Sequence, residues 1–335
     1  MKRPTLKDIA QEAGVSAMTV SKALNQKGGI SEATRAQILA IAERMNYSPN
    51  LIAKSLRIDE TRTLGVVLSD SSEMVTSKVL RGIQDGASER GYSVIVSNTD
   101  NNTSQERAAA LTLQSKQIDG LILVAPTRCS SEDLVWLQGL HIPFILLMRK
   151  NDEINVDTVI NDNYLGGYQT VEHLAREGCR KLQFILLENS QSSDERKKGY
   201  EQAMRDYRIA PDACRFARAK PFIDSGYEAA RGLLPDLRRF DALVCGCDTV
   251  AIGAMEALGQ AGVRIPEDLR LIGYDGIEID QYLRVPLSTI AQPLYRIGYE
   301  GTGILLDRIR YPDTAIRKVV LKSELIVRRS SHPDA

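Results

Sequence analysis

Residues 5–25 read TLKDIAQEAGVSAMTVSKALN, a pattern that predicts two short helices joined by a tight turn. Thr5 and Asp8 form a T-x-x-D cap for the first helix. Gly14 stands where the turn needs a glycine, and Ser16 can cap the second helix. Two short helices joined in this way are typical of a helix-turn-helix, a motif whose second helix enters the major groove of DNA.

The order of residues along this motif separates two kinds of DNA contact. The start of the second helix faces base edges, which nominates as base-reading residues Ala17, Met18, Ser21 and Lys22. Short polar side chains suit phosphate oxygens, which nominates as phosphate-contacting residues Thr5, Ser16, Thr19, Asn25 and Ser31. Lys22 can reach guanine but lacks the planar fork of arginine, so we expect softer discrimination at that base.

Charge divides the chain at the same place. Residues 1–57 contain 9 Lys+Arg and 4 Asp+Glu, a net charge of +5, whereas residues 58–335 contain 34 basic and 39 acidic residues, a net charge of −5. A basic head is attracted to a polyanion such as DNA, while the acidic remainder is repelled from it. The alternative is a solvated basic face without a partner, and the helix-turn-helix pattern in the same segment disfavours it.

Length and composition exclude several classes of protein. With 335 residues, the chain is expected to form two or three domains. No apolar run approaches the roughly 20 residues that span a bilayer, and the N-terminus leads straight into a polar helix. We therefore expect a cytoplasmic, nucleoid-associated protein with no membrane partner. Five scattered cysteines indicate reduced thiols, and three distant histidines show no metal-ligand spacing, so neither a metal nor a cofactor is expected.

The rest of the head is predicted to be helical. A third helix runs from the cap at Ser31 to Met45, and Asn46 ends it. Residues 47–50, Tyr-Ser-Pro-Asn, then interrupt the chain. Residues 51–56 can add one or two helical turns, which are too short to be stable alone, so we expect this segment to be ordered only when DNA holds it.

From Thr63 onwards, short apolar runs alternate with amphipathic stretches. Seven such runs predict buried strands at residues 64–68, 94–96, 121–124, 144–148, 182–187, 242–245 and 269–272. Strands that alternate with helices indicate parallel sheets covered on both faces. Seven strands are more than we expect in a single sheet of this chain. The predicted fold class is therefore α/β: a three-helix head and a hinge helix, then a two-lobed, doubly wound core with a ligand cleft at the carboxyl ends of its strands.

Eight short motifs follow one another in a fixed order along the chain. They are LKDIA (6–10), VSxxTVS (15–21), ALN (23–25), YSPN (47–50), IDG (118–120), RxxGY (196–200), IGYD (272–275) and PLST (286–289). In this order and spacing they resemble the LacI/GalR, or lactose-repressor, family of bacterial transcription regulators over nearly the whole chain. The resemblance implies a transcription repressor with a periplasmic-binding-protein-like core, whose affinity for its operator is controlled by a small-molecule effector.

The resemblance also implies a domain organisation and an assembly. Its parts are a DNA-binding domain (1–47), a hinge (48–60) and an effector-binding and dimerisation core (61–335) with an N-lobe (61–161 and 292–323) and a C-lobe (162–291). A homodimer would bind a pseudo-palindromic operator of double-stranded DNA. Ala53 and Leu56 of each hinge would lie in the minor groove, with Leu56 as an apolar wedge. The alternative for Leu56 is an ordinary core leucine at a domain junction.

The family's effector contacts map onto the predicted cleft. Arg196 and Asp275 match residues that hold effector hydroxyl groups, a task suited to charge-assisted hydrogen bonds; a salt bridge across the cleft is the alternative. The other residues expected to bind effector are Asp70, Met148, Ser190, Ser192 and Cys247. Met148 stands where the family often has Asp, and Arg149 and Lys150 follow it. We expect these two cations to face the cleft; the alternative is that they simply point to solvent. The loss of a carboxylate beside two gained cations favours a sugar acid or a sugar phosphate over a neutral sugar as the effector. A nucleoside or purine is the alternative.

An enzyme with a two-lobed α/β fold is the alternative from another class. The sequence contains no P-loop, and the glycines in Gly298-x-x-Gly-x-Gly303 have the wrong spacing for a dinucleotide-binding loop and fall in a helical stretch. No Ser/His or Cys/His pairing is apparent. An architectural DNA protein without a ligand would have no evident use for two lobes. We therefore expect no enzymatic activity.

Overall fold

The computed structural model describes residues 4–25, 28–47, 60–100, 102–124 and 130–334. They fall into two compact units, residues 1–61 and 62–335. Ala53 and Leu56, the two residues predicted to enter the minor groove, lie outside the described residues, as does Cys129.

The first unit is a bundle of three helices. They are α1 (Leu6–Ala13), α2 (Ala17–Leu24) and α3 (Glu32–Arg44). Each begins at a predicted cap, because the hydroxyl groups of Thr5, Ser16 and Ser31 accept hydrogen bonds from backbone N–H groups in the first turn. Gly14 ends α1 with φ 65°, a left-handed conformation that glycine adopts without steric cost.

A small apolar core joins the three helices. Ile9 of α1, Val20 and Ala23 of α2, and Ile38 of α3 are all fully buried. Burial of an isoleucine or valine side chain contributes about 1.5–3 kcal/mol, so Ile9, Val20 and Ile38 supply most of the apolar stabilisation that holds these short helices together. Because one face of α2 is used in this way, its opposite face remains available.

The second unit contains two sheets of six strands each. The first comprises β1 (Thr63–Leu68), β2 (Ser93–Asn98), β3 (Gly120–Val124), β4 (Phe144–Leu147), β5 (Asp157–Asn161) and β11 (Lys318–Leu321). The second comprises β6 (Leu182–Leu187), β7 (Arg215–Ala219), β8 (Ala242–Cys245), β9 (Arg270–Asp275), β10 (Ser288–Ala291) and β12 (Glu324–Ile326). The strand orders, β2-β1-β3-β4-β5-β11 and β7-β6-β8-β9-β10-β12, are equivalent. All pairs are parallel except β10 with β12, so each sheet forms one doubly wound lobe.

Helices cover both sheets. They are α4 (Met74–Ser88), α5 (Thr103–Ser115), α6 (Ser131–Gln138), α7 (Asn163–Arg176), α8 (Gln191–Asp206), α9 (Ile223–Leu233), α10 (Asp248–Gln260) and α11 (Leu294–Arg310). Short 3₁₀ helices occupy Pro211–Ala213, Leu234–Arg239 and Glu278–Tyr282. Gly298 lies in α11, where a Cβ would come 2.1 Å from the carbonyl oxygen of Val79 in α4. The glycine run near residue 300 therefore serves close helix packing and not phosphate binding.

The chain passes between the two lobes after β5, after β10 and after β11. The spans are short, since two residues at most separate each of these strands from the next element. At the first crossing, the side-chain amide of Asn161 donates hydrogen bonds to the hydroxyl groups of Tyr274 (3.3 Å) and Ser323 (3.4 Å). Both partners belong to the second lobe or lead into it, so the crossing is fastened to that lobe by side chains.

The predicted three-helix head and two-lobed α/β core are confirmed, while the predicted hinge helix lies outside the described residues. The differences lie in the details of the core. The prediction missed five strands: β5, β7, β10, β11 and β12. These strands are three to five residues long, and polar residues interrupt their apolar pattern. Residues 324–334, which the prediction assigned to neither lobe, belong to the second one, because β12 pairs with β10 and Ser330 donates a hydrogen bond to the carbonyl of Leu271.

Candidate nucleic-acid interface and ligand cleft

The outer face of α2 carries the predicted base-reading residues. Met18 is 70% exposed and Lys22 is exposed, while Ala17 and Ser21 are half-buried. Spacings of one, four and five residues place these positions on one side of a helix. A methionine exposed to this extent gains nothing from the head's own core. It is available for an apolar contact outside the head.

The predicted phosphate-contacting residues already form hydrogen bonds within the head. The Thr5 hydroxyl donates to a carboxylate oxygen of Asp8 (2.7 Å), the hydroxyls of Ser16 and Thr19 lie 2.9 Å apart, and the Asn25 amide donates to the carbonyl of Ser21 (2.7 Å). These side chains therefore serve first as helix caps and local hydrogen-bonding groups of the head, and only then as candidates for phosphate contact. Helix N-termini still attract phosphate through their partial positive charge. The Asp8 carboxylate opposes that attraction at Thr5.

In the second lobe, Arg196 is the most constrained of the predicted effector residues. It is 4% exposed, its Nε donates to the side-chain oxygen of Asn163 (2.9 Å) and its Nη1 donates to the carbonyl of Gly246 (2.6 Å). The guanidinium carbon lies 3.5 Å from the ring centroid of Tyr274. Two hydrogen bonds and a stacked ring fix the plane of the guanidinium, which is what directional recognition of a polar ligand requires.

Asp275 ends β9 near that arginine. It is buried, and one of its carboxylate oxygens accepts a hydrogen bond from the side-chain amide of Gln292 (2.5 Å). Burial raises the pKa of Asp275 well above the usual carboxyl range, and the nearby Arg196 guanidinium opposes the rise. Its φ of 129° lies in a region that L residues rarely adopt. Such strain persists where surrounding hydrogen bonds hold the backbone, often at a functional site.

Asp248, which the sequence reasoning did not nominate, organises the turn after Asp275. It begins α10 and is fully buried; its carboxylate accepts hydrogen bonds from the N–H groups of Gly276 (2.7 Å) and Ile277 (3.2 Å) and from the hydroxyl of Thr289 (2.8 Å). The side chain of Asp280, also fully buried, lies against it. The available signal was an aspartate directly after the apolar run that ends at Cys247.

The remaining predicted effector residues occupy different environments. Asp70 is half-exposed after β1, and its carboxylate accepts the N–H of Ser72 (2.8 Å). Ser190 caps α8. Met148 and Ser192 line an open cleft of about 200 Å³ between the lobes. Burial raises the pKa of the Cys247 thiol to about 12, so it stays protonated and acts as a small hydrogen-bonding group towards Thr249.

Arg149 does not contribute a free positive charge to the cleft. It is 2% exposed, and its guanidinium pairs with the carboxylate of Glu106 at 2.5 Å. The neighbouring Lys150 lies 3.5 Å from a carboxylate oxygen of Asp152. The expectation that two added cations favour an acidic ligand is therefore weakened, because carboxylates of the protein already lie beside both.

Two negative findings apply to the described ranges. No helix there is long and apolar enough to cross a membrane. No group of three or more His, Cys, Asp or Glu side chains among these residues is arranged to hold a metal ion. Cys179, Cys214, Cys245 and Cys247 are free and buried.

Comparison with known proteins gives these sites a context. Residues 5–50 match the bacterial regulatory proteins of the lacI family, and residues 171–331 match a periplasmic binding protein-like domain. The ribose operon repressor of Haemophilus influenzae is 32% identical over 97% of this chain and 98% of its own length. The chain belongs to the lacI family. The HTH-type transcriptional repressor PurR of Vibrio vulnificus is also 32% identical, over 97% of both chains.

A solved structure of a lacI-family member supports the assignment. The lac repressor dimer bound to operator and the anti-inducer ONPF has a TM-score of 0.89 and 26% sequence identity, and the match covers 98% of this chain and 99% of that chain. This lacI-family chain is therefore a DNA-binding transcriptional regulator with an effector-binding core, and it is not an enzyme.

Proposed function

We propose that this regulator represses transcription as a homodimer. In the proposal, residues 1–47 bind DNA, residues 48–60 form the hinge, and residues 61–335 bind effector and dimerise. The dimer binds a pseudo-palindromic operator, which Ala17, Met18, Ser21 and Lys22 of each α2 read in the major groove, while Ala53 and Leu56 enter the minor groove. An effector in the cleft changes the angle between the lobes and thereby the operator affinity, a coupling of about 1–3 kcal/mol in typical cases.

One observation carries the effector part of the proposal. The Arg196 guanidinium is buried and held in one plane by Asn163, Gly246 and Tyr274, beside the strained, buried Asp275. A donor fork and an acceptor fixed in this way suit neighbouring hydroxyl groups of a sugar, which can accept from one and donate to the other. Buried ionisable groups with strongly shifted pKa values beside a cleft are candidates for ligand binding, and Asp275 beside Arg196 is such a group.

The class of effector follows from charge and from two relatives. We propose a sugar, a sugar acid or a sugar phosphate. The ion pair between Arg149 and Glu106 reduces the earlier preference for an anion, and the similarity to a ribose operon repressor favours a neutral pentose as the first compound to test. A purine or nucleoside remains the second candidate, because a PurR repressor is equally similar in identity.

A thermal-shift comparison tests the effector class. The panel contains D-ribose, D-gluconate, ribose 5-phosphate and adenosine at matched concentrations. A true effector raises the unfolding free energy by about 2.7 kcal/mol at a hundredfold excess over its Kd. A shift for adenosine alone would replace the sugar proposal by the purine one, and no shift with any compound of either class would count against both.

Selection of bound duplexes from a random pool tests the DNA part. We expect a palindromic consensus, and Lys22→Ala should flatten the preference at one symmetric pair of positions, since a good base contact discriminates by about 1–3 kcal/mol. Lys198→Ala, at an exposed lysine of the core, is the charge-matched control. An unchanged consensus with Lys22→Ala would remove Lys22 from the reading residues.

A further inference from the structure

A hydrogen bond from Lys78 joins the two lobes across the cleft. Lys78 lies on α4 of the first lobe, and its ammonium group donates to the carbonyl oxygen of Gly276 in the second lobe at 3.2 Å. An ammonium donor makes a stronger hydrogen bond than a neutral one, and this one is partly shielded from water. The contact is therefore strong enough to influence the angle between the lobes.

The acceptor is held rigidly on the second lobe. The N–H of Gly276 donates to Asp248 (2.7 Å) and its φ is 73°. A Cβ at this position would lie 2.5 Å from the Cβ of Ala291, so only glycine fits. Because Gly276 directly follows Asp275, any force on its carbonyl acts one residue from the proposed ligand carboxylate.

The donor is equally well placed on the first lobe. The helix that carries Lys78, α4, packs closely against α11, because Gly82 in α4 and Gly298 in α11 allow backbone contact. One turn before Lys78, the Glu73 carboxyl accepts hydrogen bonds from Ser69 (3.4 Å) and Thr76 (3.1 Å). Lys78 thus projects from a rigid helix whose start is bonded to the end of β1.

We propose that Lys78 is a positioning residue of the effector cleft. Its hydrogen bond to Gly276 acts as a clasp that holds the lobes at the observed angle and keeps Asp275 oriented towards the ligand. The role rests on the effector site proposed above. Without the clasp, the free protein populates more open arrangements, and the binding-competent fraction falls, which weakens apparent affinity in proportion.

The Lys78 clasp and a second hydrogen bond between the lobes lie at different strands of the two sheets. The backbone N–H of Lys150, after β4, donates to the side-chain oxygen of Gln191, after β6, at 3.3 Å. In the first sheet β3 lies between β1 and β4, and in the second sheet β8 lies between β9 and β6. Loss of the Lys78 clasp should consequently loosen the β9 side of the cleft more than the β6 side, where the hydrogen bond between Lys150 and Gln191 remains.

Hydrogen–deuterium exchange of the full-length protein tests the clasp without any ligand. Lys78→Met removes the donor and keeps the aliphatic stem, Lys78→Arg restores a charged donor, and Lys198→Met is the control at an exposed lysine. In Lys78→Met we expect about tenfold faster exchange in residues 273–282, because a hydrogen bond to a charged group is worth at least that factor. Exchange in residues 188–194 should change much less than this, and the melting temperature should fall by only a few degrees, as the loss of one hydrogen bond requires.

Two results would overturn the proposal. One is unchanged exchange at residues 273–282 in Lys78→Met. The other is failure of Lys78→Arg to restore slow exchange, since that would assign the effect to lost packing and not to the hydrogen bond.

Titration with D-ribose as the probe provides the functional readout. Lys78→Met should weaken the Kd about tenfold and Lys78→Arg should recover most of the loss. If ribose binds neither the wild type nor the variants, the pentose proposal fails, while the exchange experiment still decides whether the clasp exists. If ribose binds wild type and Lys78→Met equally, Lys78 does not position the site.

Discussion

The two rims of the cleft are built differently. On the second lobe, the rim consists of Arg196, Asp248 and Asp275, which are all buried and all hydrogen-bonded. Arg196 donates to Asn163 and Gly246, Asp248 accepts from Gly276, and Asp275 accepts from Gln292. On the first lobe, Asp70 is half-exposed and bonded only to its own turn, and Arg149 is turned towards Glu106. A buried polar network is costly to disturb, whereas an exposed rim adapts readily. The difference suggests that the second lobe sets the ligand's orientation and the first lobe adjusts to it.

The largest effect is expected at Asp248, which supports the second rim. Asp248→Ala leaves two backbone N–H groups and the Thr289 hydroxyl without their acceptor, and we expect a loss of about 4 kcal/mol in unfolding free energy by urea denaturation. Asp248→Asn keeps one acceptor oxygen and should lose clearly less. Equal losses for the two variants would show that the hydrogen bonds do not carry the effect.

Replacement of Arg196 should rank second. Arg196→Met leaves Asn163 and Gly246 without their donor, which we expect to cost about 3 kcal/mol of stability and to abolish any ligand-induced thermal shift. Arg205→Met, at an exposed position of the same helix, is the matched control and should change neither quantity. Should Arg196→Met keep the full ligand shift, the second rim would not be the ligand-holding one.

The stability contributed by the buried carboxyl pair of Asp248 and Asp280 should depend on pH. Burial and the adjacent Asp248 carboxylate raise the pKa of Asp280 above its ordinary value of 3.8. The folded protein therefore keeps a proton that the unfolded chain releases, and the pair's contribution to stability falls as the pH rises above about 4, by at most about 1.4 kcal/mol per pH unit for one proton.

In Asp280→Asn, the side-chain amide can donate a hydrogen bond at any pH. The melting temperature of this variant should therefore fall less than that of the wild type between pH 5 and 9. The exposed Asp268 has the opposite behaviour, because the Arg264 side chain lowers its pKa to about 2. Asp268→Asn should leave the alkaline slope unaltered. A wild-type slope in Asp280→Asn would show that the buried acid is not the titrating group.

The smallest effect is expected on the first rim. Asp70→Asn removes a charge whose hydrogen bond can be kept by the amide oxygen, so the melting temperature should stay within experimental scatter. A modest change in ligand affinity is compatible with an adaptable rim. A loss of stability comparable to that of Arg196→Met would contradict the contrast between the two rims.

The sequence was sufficient for the parts of the fold that depend on local patterns. The caps at Thr5, Ser16 and Ser31 and the long apolar strands were predictable, because each signal lies within a few residues of its effect. The strands around Asp157 and Arg215 were not, since they are held by neighbouring strands from distant parts of the chain and not by their own composition.

The candidate site divides in the same way. The resemblance to a known family nominated Arg196 and Asp275, but nothing local revealed that Arg149 would be neutralised by Glu106, 43 residues away. Asp248 and Lys78 were missed because their partners at Gly276 are 28 and 198 residues distant. Hydrogen bonds between distant segments have no periodicity, so only the folded chain exposes them.

The three crossings between the lobes restrict how this molecule can move. Each span is too short to act as a flexible tether, and all three must bend together whenever one lobe turns against the other. Sliding or wholesale separation would break the paired strands at their ends, so bending at the three short spans is the motion of lowest cost. If an effector changes the angle between the lobes as proposed, a substitution that stiffens or frees these spans should change the regulator's sensitivity without touching either DNA or ligand.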